Sequence, residues 1–384
     1  MQPHPKLSLV EQFATIADPR VNRTREHPLV NILIMGVCTL LCGGETFNDM
    51  EDFGQAKRDW FASFLDLSHG IPSHDTFNRV FSAIDPREFL QAFVNWTQSV
   101  RRAVPDEIVA MDGKALRRAL AKDQNARVIV SAWAEDNGLV LGQLKVDSKS
   151  NEITAVPPLL RVLELAGCIV TLDAMGCQKE IAREIKEADA EYVLALKGNQ
   201  ETLHREVREF LDAAVAESKS WKPPGAPSSA LVEKLAGRKT VEKDHGRIET
   251  REYYQSANLG WLADLARWEG LQTVGMVEAT REINGKISRE RRYYLSSLPL
   301  DVERFARAVR GHWGVENKLH WVLDVQFGED QSRARRGYAA ENLATLRRFA
   351  LNLLKLEKTK QRGIRGKQLN ASWDHAYLLR LIGI

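Results

Sequence analysis

Between residues 106 and 197 the apolar residues stop recurring at helical intervals and gather into short β-branched runs, and the order of those runs limits the fold more than any other feature. EIVAMDG, RVIVSAWAED and LVLGQLKVD read as three successive strands, the second turned back into the third by Asp136-Asn137-Gly138. ITAVPPLLRVLELAG then reads as a helix that tolerates Pro157 and Pro158 near its first turn. The strand IVTLDA, the helix QKEIAREIKEAD and the strand YVLALKG follow. Three strands followed by α-β-α-β predict an α/β domain, a mixed sheet with covering helices.

The flanks have other patterns. Residues 1–100 carry apolar positions three and four apart and read as an N-terminal helical domain. Its longest apolar run, Leu29 to Gly44, is interrupted by Asn31 and falls short of the roughly 20 residues of a membrane span, so it reads as a buried helix. SHDTFNRVFSAI, capped by Ser73 or Asp75 and carrying Asn78 and Arg79, fits a helix-turn-helix reader of DNA and equally a small bundle with a polar face. Residues 101–200 hold the α/β pattern, and 201–299 read as a β-rich insertion in which Asn284-Gly285 is a strong hairpin signal. Helical periodicity returns over 300–357, and 358–384, with Lys358, Lys360, Arg362, Arg365 and Lys367, reads as a basic tail.

Composition narrows the function classes. With 44% hydrophobic and 27% charged residues the chain is too apolar for disorder. A net charge of +3 means that an anion-binding surface has to come from local clustering. The four cysteines are too scattered for a disulfide framework, and Cys38 and Cys42, which share a helix face, lack a second Cys/His pair for zinc. The first residues lack a secretory signal, which points to the cytoplasm. No GxSxG, GxxxxGK[ST] or dinucleotide-binding glycine pattern occurs.

Two acids stand at strand ends, Asp112 closing IVAMD and Asp173 closing IVTLD, where α/β sheets gather their ligands. Each could instead cap the turn that follows. A third donor can come from RGHWGVENKLHWVLDV, which spaces His312, Glu316 and His320 four residues apart. At 1.5 Å per residue the two histidines lie about 12 Å apart along a helix, so both cannot bind the ion that Glu316 binds. One His with Glu316 remains geometrically open, yet Trp313 and Trp321 beside the histidines favour a packed or ligand-contacting face. Three carboxylates make a hard oxygen site suited to Mg²⁺ or Mn²⁺. Two such ions about 4 Å apart serve phosphoryl transfer without a covalent intermediate.

MDGKALRRA, TLDAMGCQKEIAREI, YVLALKGNQ, HGRIETR and RGHWGVENKLHWVLDVQFGED, in that order, resemble the DDE-type insertion-sequence transposases of the H-repeat-associated group. The resemblance covers nearly the whole chain. It implies an RNase H-like catalytic core interrupted by a β-rich insertion, with Asp112, Asp173 and Glu316 as the catalytic, metal-binding triad. The spacings, 61 positions and then 143, leave room for that insertion. The chemistry implied is Mg²⁺- or Mn²⁺-dependent hydrolysis at transposon ends, then attack of the 3′-hydroxyl on target DNA. The implied partners are double-stranded DNA, as terminal inverted repeats and target, and a second copy in a homodimer; the setting is the bacterial nucleoid. A catalytically inactive DNA-binding derivative and a nuclease without strand transfer are the alternatives.

The chain departs from the wider superfamily's Y-x2-R-x3-E-x6-K pattern, placing Val309, His312 and Leu323 around Glu316. The basic role then passes to His312, Arg310 or Lys318, with Asn317 orienting Glu316 or meeting a phosphate. Lys114, Arg117, Arg118, Lys197, Arg333, Arg335 and Arg336 fit contacts to a DNA backbone. The resemblance adds His245, Arg247 and Arg251 as a grip on the transposon end.

Overall fold

The computed structural model describes residues 7–118, 127–146, 152–220, 229–244 and 246–383. Local signals start most of the helices. In α1 (Leu9–Ala14) Ser8 and Glu11 form a capping box, and α2 (Leu29–Leu41) begins after Pro28 and is almost wholly buried, Asn31 included, in keeping with its largely apolar run. Thr46 and Asp49 box the start of α3 (Phe47–Ala56), which α4 (Arg58–Ala62) follows directly. Ser73 caps α5 (His74–Ala83), and Asp85-Pro86 opens α6 (Pro86–Val100).

Strands β1 (Ile108–Leu116), β2 (Arg127–Ala134) and β3 (Leu139–Lys145) come next, Gly138 supplying the positive φ of the hairpin. The helix expected over ITAVPPLLRVLELAG is shorter: α7 covers Val156–Val162, preceded by a 3-10 turn at Glu152–Thr154. Then follow β4 (Ile169–Leu172), α8 (Lys179–Glu187), β5 (Glu191–Leu196) and α9 (Glu201–Lys219). Strands β6 (Leu235–Asp244), β7 (Arg247–Ser256), β8 (Thr273–Ile283) and β9 (Lys286–Ser296) precede α10 (Val302–His312). A π-helical turn at Val315–His320 leads into α11 (Trp321–Phe327), α12 (Ala339–Leu356), α13 (Ile364–Trp373) and α14 (His375–Ile382). Among the described residues no helix is long and apolar enough to cross a membrane.

The chain divides into two compact units, one of Met1–Val104, Asp112–Leu163 and Gly314–Ile384, the other of Pro105–Met111 and Glu164–Trp313. β1 passes from the second into the first. In the second unit the strands run in the order β1-β4-β5-β9-β8-β7-β6 in a large mixed sheet. β1 and β4 pair in parallel from Ile108↔Ile169 to Met111↔Leu172, and β4 and β5 are likewise parallel. From β5 onward every pairing is antiparallel. Asn284 and Gly285 both take positive φ, as the tightest hairpin turn requires, so that Ile283 faces Lys286. Phe305 of α10 is the centre of this unit's core, packed among Ile169, Val193, Tyr253, Val277 and Tyr294.

The strands of the β-rich stretch continue the sheet of β4 and β5. β9 pairs with β5 from Val193↔Ser296 to Leu196↔Tyr293, which satisfies the open edge that β5 would otherwise present.

The first unit is organised around α12, buried from Ala339 to Leu354 and packed on α2, α5, α6 and β3. Phe349 lies among the rings of Phe13, Phe89, Phe93 and Trp96. Asn342 donates to the carbonyls of Phe81 and Ile84, and Asn352 to that of Val140. The basic C-terminal stretch contains α13 and α14. α13 and α14 bury Gln368, Tyr377 and Leu378, and Lys367 points inward to the carbonyls of Leu354 and Glu357. The apolar residues between the cations decide the outcome.

Candidate active-site residues

In the second unit the last register pair of β1 and β4 is Met111↔Leu172. The next residue along β1, which continues to Leu116, is Asp112, and the residue after β4 is Asp173. Asp173 caps the 3-10 turn Ala174–Gly176, its Oδ1 accepting from the amides of Met175 at 3.0 Å and Gly176 at 3.3 Å. One carboxylate oxygen is thus committed to the turn. Cys177 lies just beyond, its thiol pushed up to about 12 by burial and then by the charge of Asp173.

Glu316 sits on the π-helical turn, where the amide of Trp321 reaches back to the carbonyl of Glu316. The sequence carries no signal for this widening. π turns are rare and concentrate at functional sites. Gly314 allows the turn to close on Glu135, whose carboxylate would collide with any side chain there. Glu135 also accepts from Trp133 Nε1 at 2.8 Å and pairs with Lys318. So pinned, the turn directs Val315, Leu319 and His320 inward and leaves Glu316, Asn317 and Lys318 exposed.

His320 is only 8% exposed, and its Nε2 lies 3.2 Å from Asp112 Oδ2. The approach is not aligned as a hydrogen bond, and both ring nitrogens are buried without a hydrogen-bond partner. His312, at the end of α10, instead places Nδ1 2.9 Å from the hydroxyl of Thr171 on β4. The two histidines that a straight helix separates are thus engaged differently, one by a carboxylate and one by a hydroxyl. Among the described residues no group of three or more His, Cys, Asp or Glu side chains is gathered closely enough to hold a metal ion.

The basic residues divide by environment. Lys114 does not face a phosphate: its ammonium is enclosed by Asp324, Glu329 at 3.1 Å and Asp330 at 3.1 Å, with the side chain 10% exposed. Burial pushes its pKa down, but the charges of Glu329 and Asp324 outweigh this and hold it above the ordinary value. Behind it Glu329 also pairs with Arg348 at 2.7 Å, both side chains fully buried. This cluster of Lys114, Asp324, Glu329, Asp330 and Arg348 went unrecognised in the sequence, because nothing in a charge run marks which members turn inward.

Lys197 is exposed at the end of β5, as its position predicts. Arg310 pairs with Glu242 at 3.2 Å, and Arg247 with the buried Glu249, which also holds Arg251 at 2.6 Å. These arginines are partly neutralised within their own unit. Arg333, Arg335 and Arg336 are exposed and line a cavity of about 650 Å³ with Thr46, Asn48 and Asn78. His245 lies outside the described residues.

Comparison with known proteins bears on the whole chain. A family model described as "Transposase DDE domain" matches residues 104–353, and one described as "DDE_Tnp_1-associated" matches 10–97. The H repeat-associated putative transposase YhhI of Escherichia coli (strain K12) is 38% identical over 381 residues, 97% of each chain. The inactive transposase YbfQ of the same organism is 36% identical over 74 residues, 19% of this chain and 88% of its own. Among solved structures, a piggyBac transposase synaptic complex with hairpin DNA aligns with 98% of this chain and 77% of that one, at a TM-score of 0.43 and 11% identity.

Proposed function

The chain belongs to the DDE transposase family, among relatives of the H repeat-associated group, and from that footing we propose that it cuts DNA at transposon ends and joins the freed ends to target DNA. In this reading Asp112, Asp173 and Glu316 are the carboxylates of an RNase H-like core. Support comes from the register of β1 and β4, whose last parallel pair is Met111↔Leu172, so that the next residue along each is an acid, Asp112 within β1 and Asp173 just after β4. That the third acid stands on a π turn adds to it.

The donors suit a hard divalent ion, Mg²⁺ or Mn²⁺, because carboxylate oxygens select such ions. Two ions held there would activate an attacking oxygen and stabilise the leaving one. The chain's own part is to hold the carboxylates on rigid elements. Asp173 is fixed by two backbone amides and Glu316 by a turn anchored through Gly314 and Lys318. In the first step water attacks the phosphodiester and the 3′-oxygen leaves with a proton. In the second, that 3′-hydroxyl attacks a target phosphodiester and displaces another 3′-oxygen. Lys197, Arg247, Arg310, His312, Asn317 and Lys318 are the proposed DNA contacts, and two copies acting on two ends make a homodimer the working assembly. Lys114 leaves that set.

The test is direct. Asp112→Asn, Asp173→Asn and Glu316→Gln should each abolish Mg²⁺-dependent cleavage of end-containing DNA while leaving DNA binding within about threefold. Full cleavage by any one of the three would remove that residue from the triad. A relative named as inactive favours a second reading, a DNA-binding protein without catalysis; sequence-specific binding by the wild type with no nicking would establish it. Supplying pre-cut ends with free 3′-hydroxyls, and finding no joining to a plasmid, would leave a nuclease without strand transfer.

A further inference from the structure

We propose that His320 Nε2 is a ligand of the same ion that Asp112 holds, making the centre a mixed nitrogen-oxygen site that prefers Mn²⁺ to Mg²⁺; this rests on the reading of Asp112 as a metal-binding carboxylate.

His320 is buried, and neither of its ring nitrogens makes a hydrogen bond. Leaving a buried polar group unsatisfied costs about 1–3 kcal/mol, so such groups in native proteins have a reason to be there. Packing alone does not supply one, because an apolar residue of similar size would fill the space without that cost. The ring is buried on the π turn together with Val315 and Leu319.

Its distance from Asp112 matches co-ligation better than a hydrogen bond. Nε2 and Oδ2 are 3.2 Å apart but not aligned for proton donation. Two donor atoms each about 2.1 Å from one ion, at octahedral or tetrahedral angles, lie roughly 3.0–3.4 Å from each other. Among the described residues no lysine or arginine is paired with Asp112, whose ion-pair neighbour is His320 itself. Lys114 projects from the same face of β1 two residues on, yet its ammonium is consumed by Asp324, Glu329 and Asp330. The Asp112 side chain keeps 29% exposure, enough for water to complete a coordination shell. Both groups lie within one compact unit.

The donor set then determines the ion. Mg²⁺ takes oxygen ligands and retains its waters, whereas imidazole binds Mn²⁺ and the later transition metals more readily.

The experiment uses the full chain without DNA, loaded with Mn²⁺ and read by pulsed electron paramagnetic resonance and by isothermal titration. The wild type should show nitrogen-14 coupling from a directly bound imidazole and should bind Mn²⁺ more tightly than Mg²⁺. His320→Ala and His320→Gln should lose that coupling and weaken Mn²⁺ binding about tenfold or more, while Mg²⁺ binding shifts far less. Absence of nitrogen coupling in the wild type would overturn the proposal and leave His320 a plain ion-pair partner of Asp112; that measurement needs no variant to fold. Asp112→Asn separates the two levels. If it leaves Mn²⁺ binding intact, the metal role of Asp112 fails; if it abolishes binding while the His320 variants do not, ligation by His320 alone fails.

Discussion

Replacing Glu329 by Gln tests whether the buried charge cluster holds the first unit together. The carboxylate is fully buried, 2.7 Å from Arg348 and 3.1 Å from Lys114. Burial pushes its pKa up, but the charges of Arg348, Lys114 and Arg347 prevail and bring it from an ordinary 4.5 down to about 2. At 1.36 kcal/mol per pH unit that gap corresponds to about 3 kcal/mol of folding stability. It agrees with the roughly 3–5 kcal/mol lost when one partner of a buried ion pair is removed. Because the folded-state pKa is depressed, this stability is fully present above about pH 4.5 and is lost as pH falls toward 2. Urea unfolding followed by tryptophan fluorescence should therefore show a wild-type advantage over Glu329→Gln of about 3 kcal/mol at pH 7, shrinking through the acid range. A difference below about 1 kcal/mol at pH 7, or one that does not shrink on acidification, would refute the account.

Two further outcomes follow from packing and charge. Lys114→Met should lower stability by about 3 kcal/mol while leaving the salt dependence of DNA binding unchanged, whereas a phosphate-contacting lysine would reduce that slope by about one. Gly275→Ala in β8 would drive a methyl group against the ring of the buried Phe305, whose Cε2 would lie 2.7 Å away, so the variant should lose about 1–3 kcal/mol in thermal unfolding; a variant as stable as the wild type would mean that α10 can shift at no cost.

The parts of the fold that were legible in the sequence are those written locally. The three strands after residue 106, the Asn284-Gly285 hairpin and the caps at Ser73 and Asp85 depend on period and turn chemistry within a few residues. What could not be read depends on partners far along the chain. Nothing near β5 says that its open edge will be taken by β9, about 100 residues later. Lys114 looks like any cation after an acid until Asp324, Glu329 and Asp330 close over it. For the candidate site, Asp173 stands at a strand end as its pattern suggests, whereas β1 runs on past Asp112 to Leu116, through a stretch whose Gly113 and charged residues hide the strand. The π turn was not legible, because no pattern among residues 315–320 distinguishes it from a regular helix. His320 of that turn lies 3.2 Å from Asp112, a pairing that nothing in the sequence announces.

The seating of α12 carries a consequence for how the protein is made. Residues 9–100, forming α1 to α6, leave the ribosome first, yet the helix that fills their core spans Ala339–Leu356. Until residue 356 has emerged, α2 and α6 present an uncovered apolar face, the kind of surface that recruits chaperones and proteases. The unit built from Pro105–Met111 and Glu164–Trp313 has all its segments some forty residues sooner. Translation cut short within α12 would thus yield a chain with one finished unit and one that stays open to degradation, so that incomplete products are removed while complete ones persist.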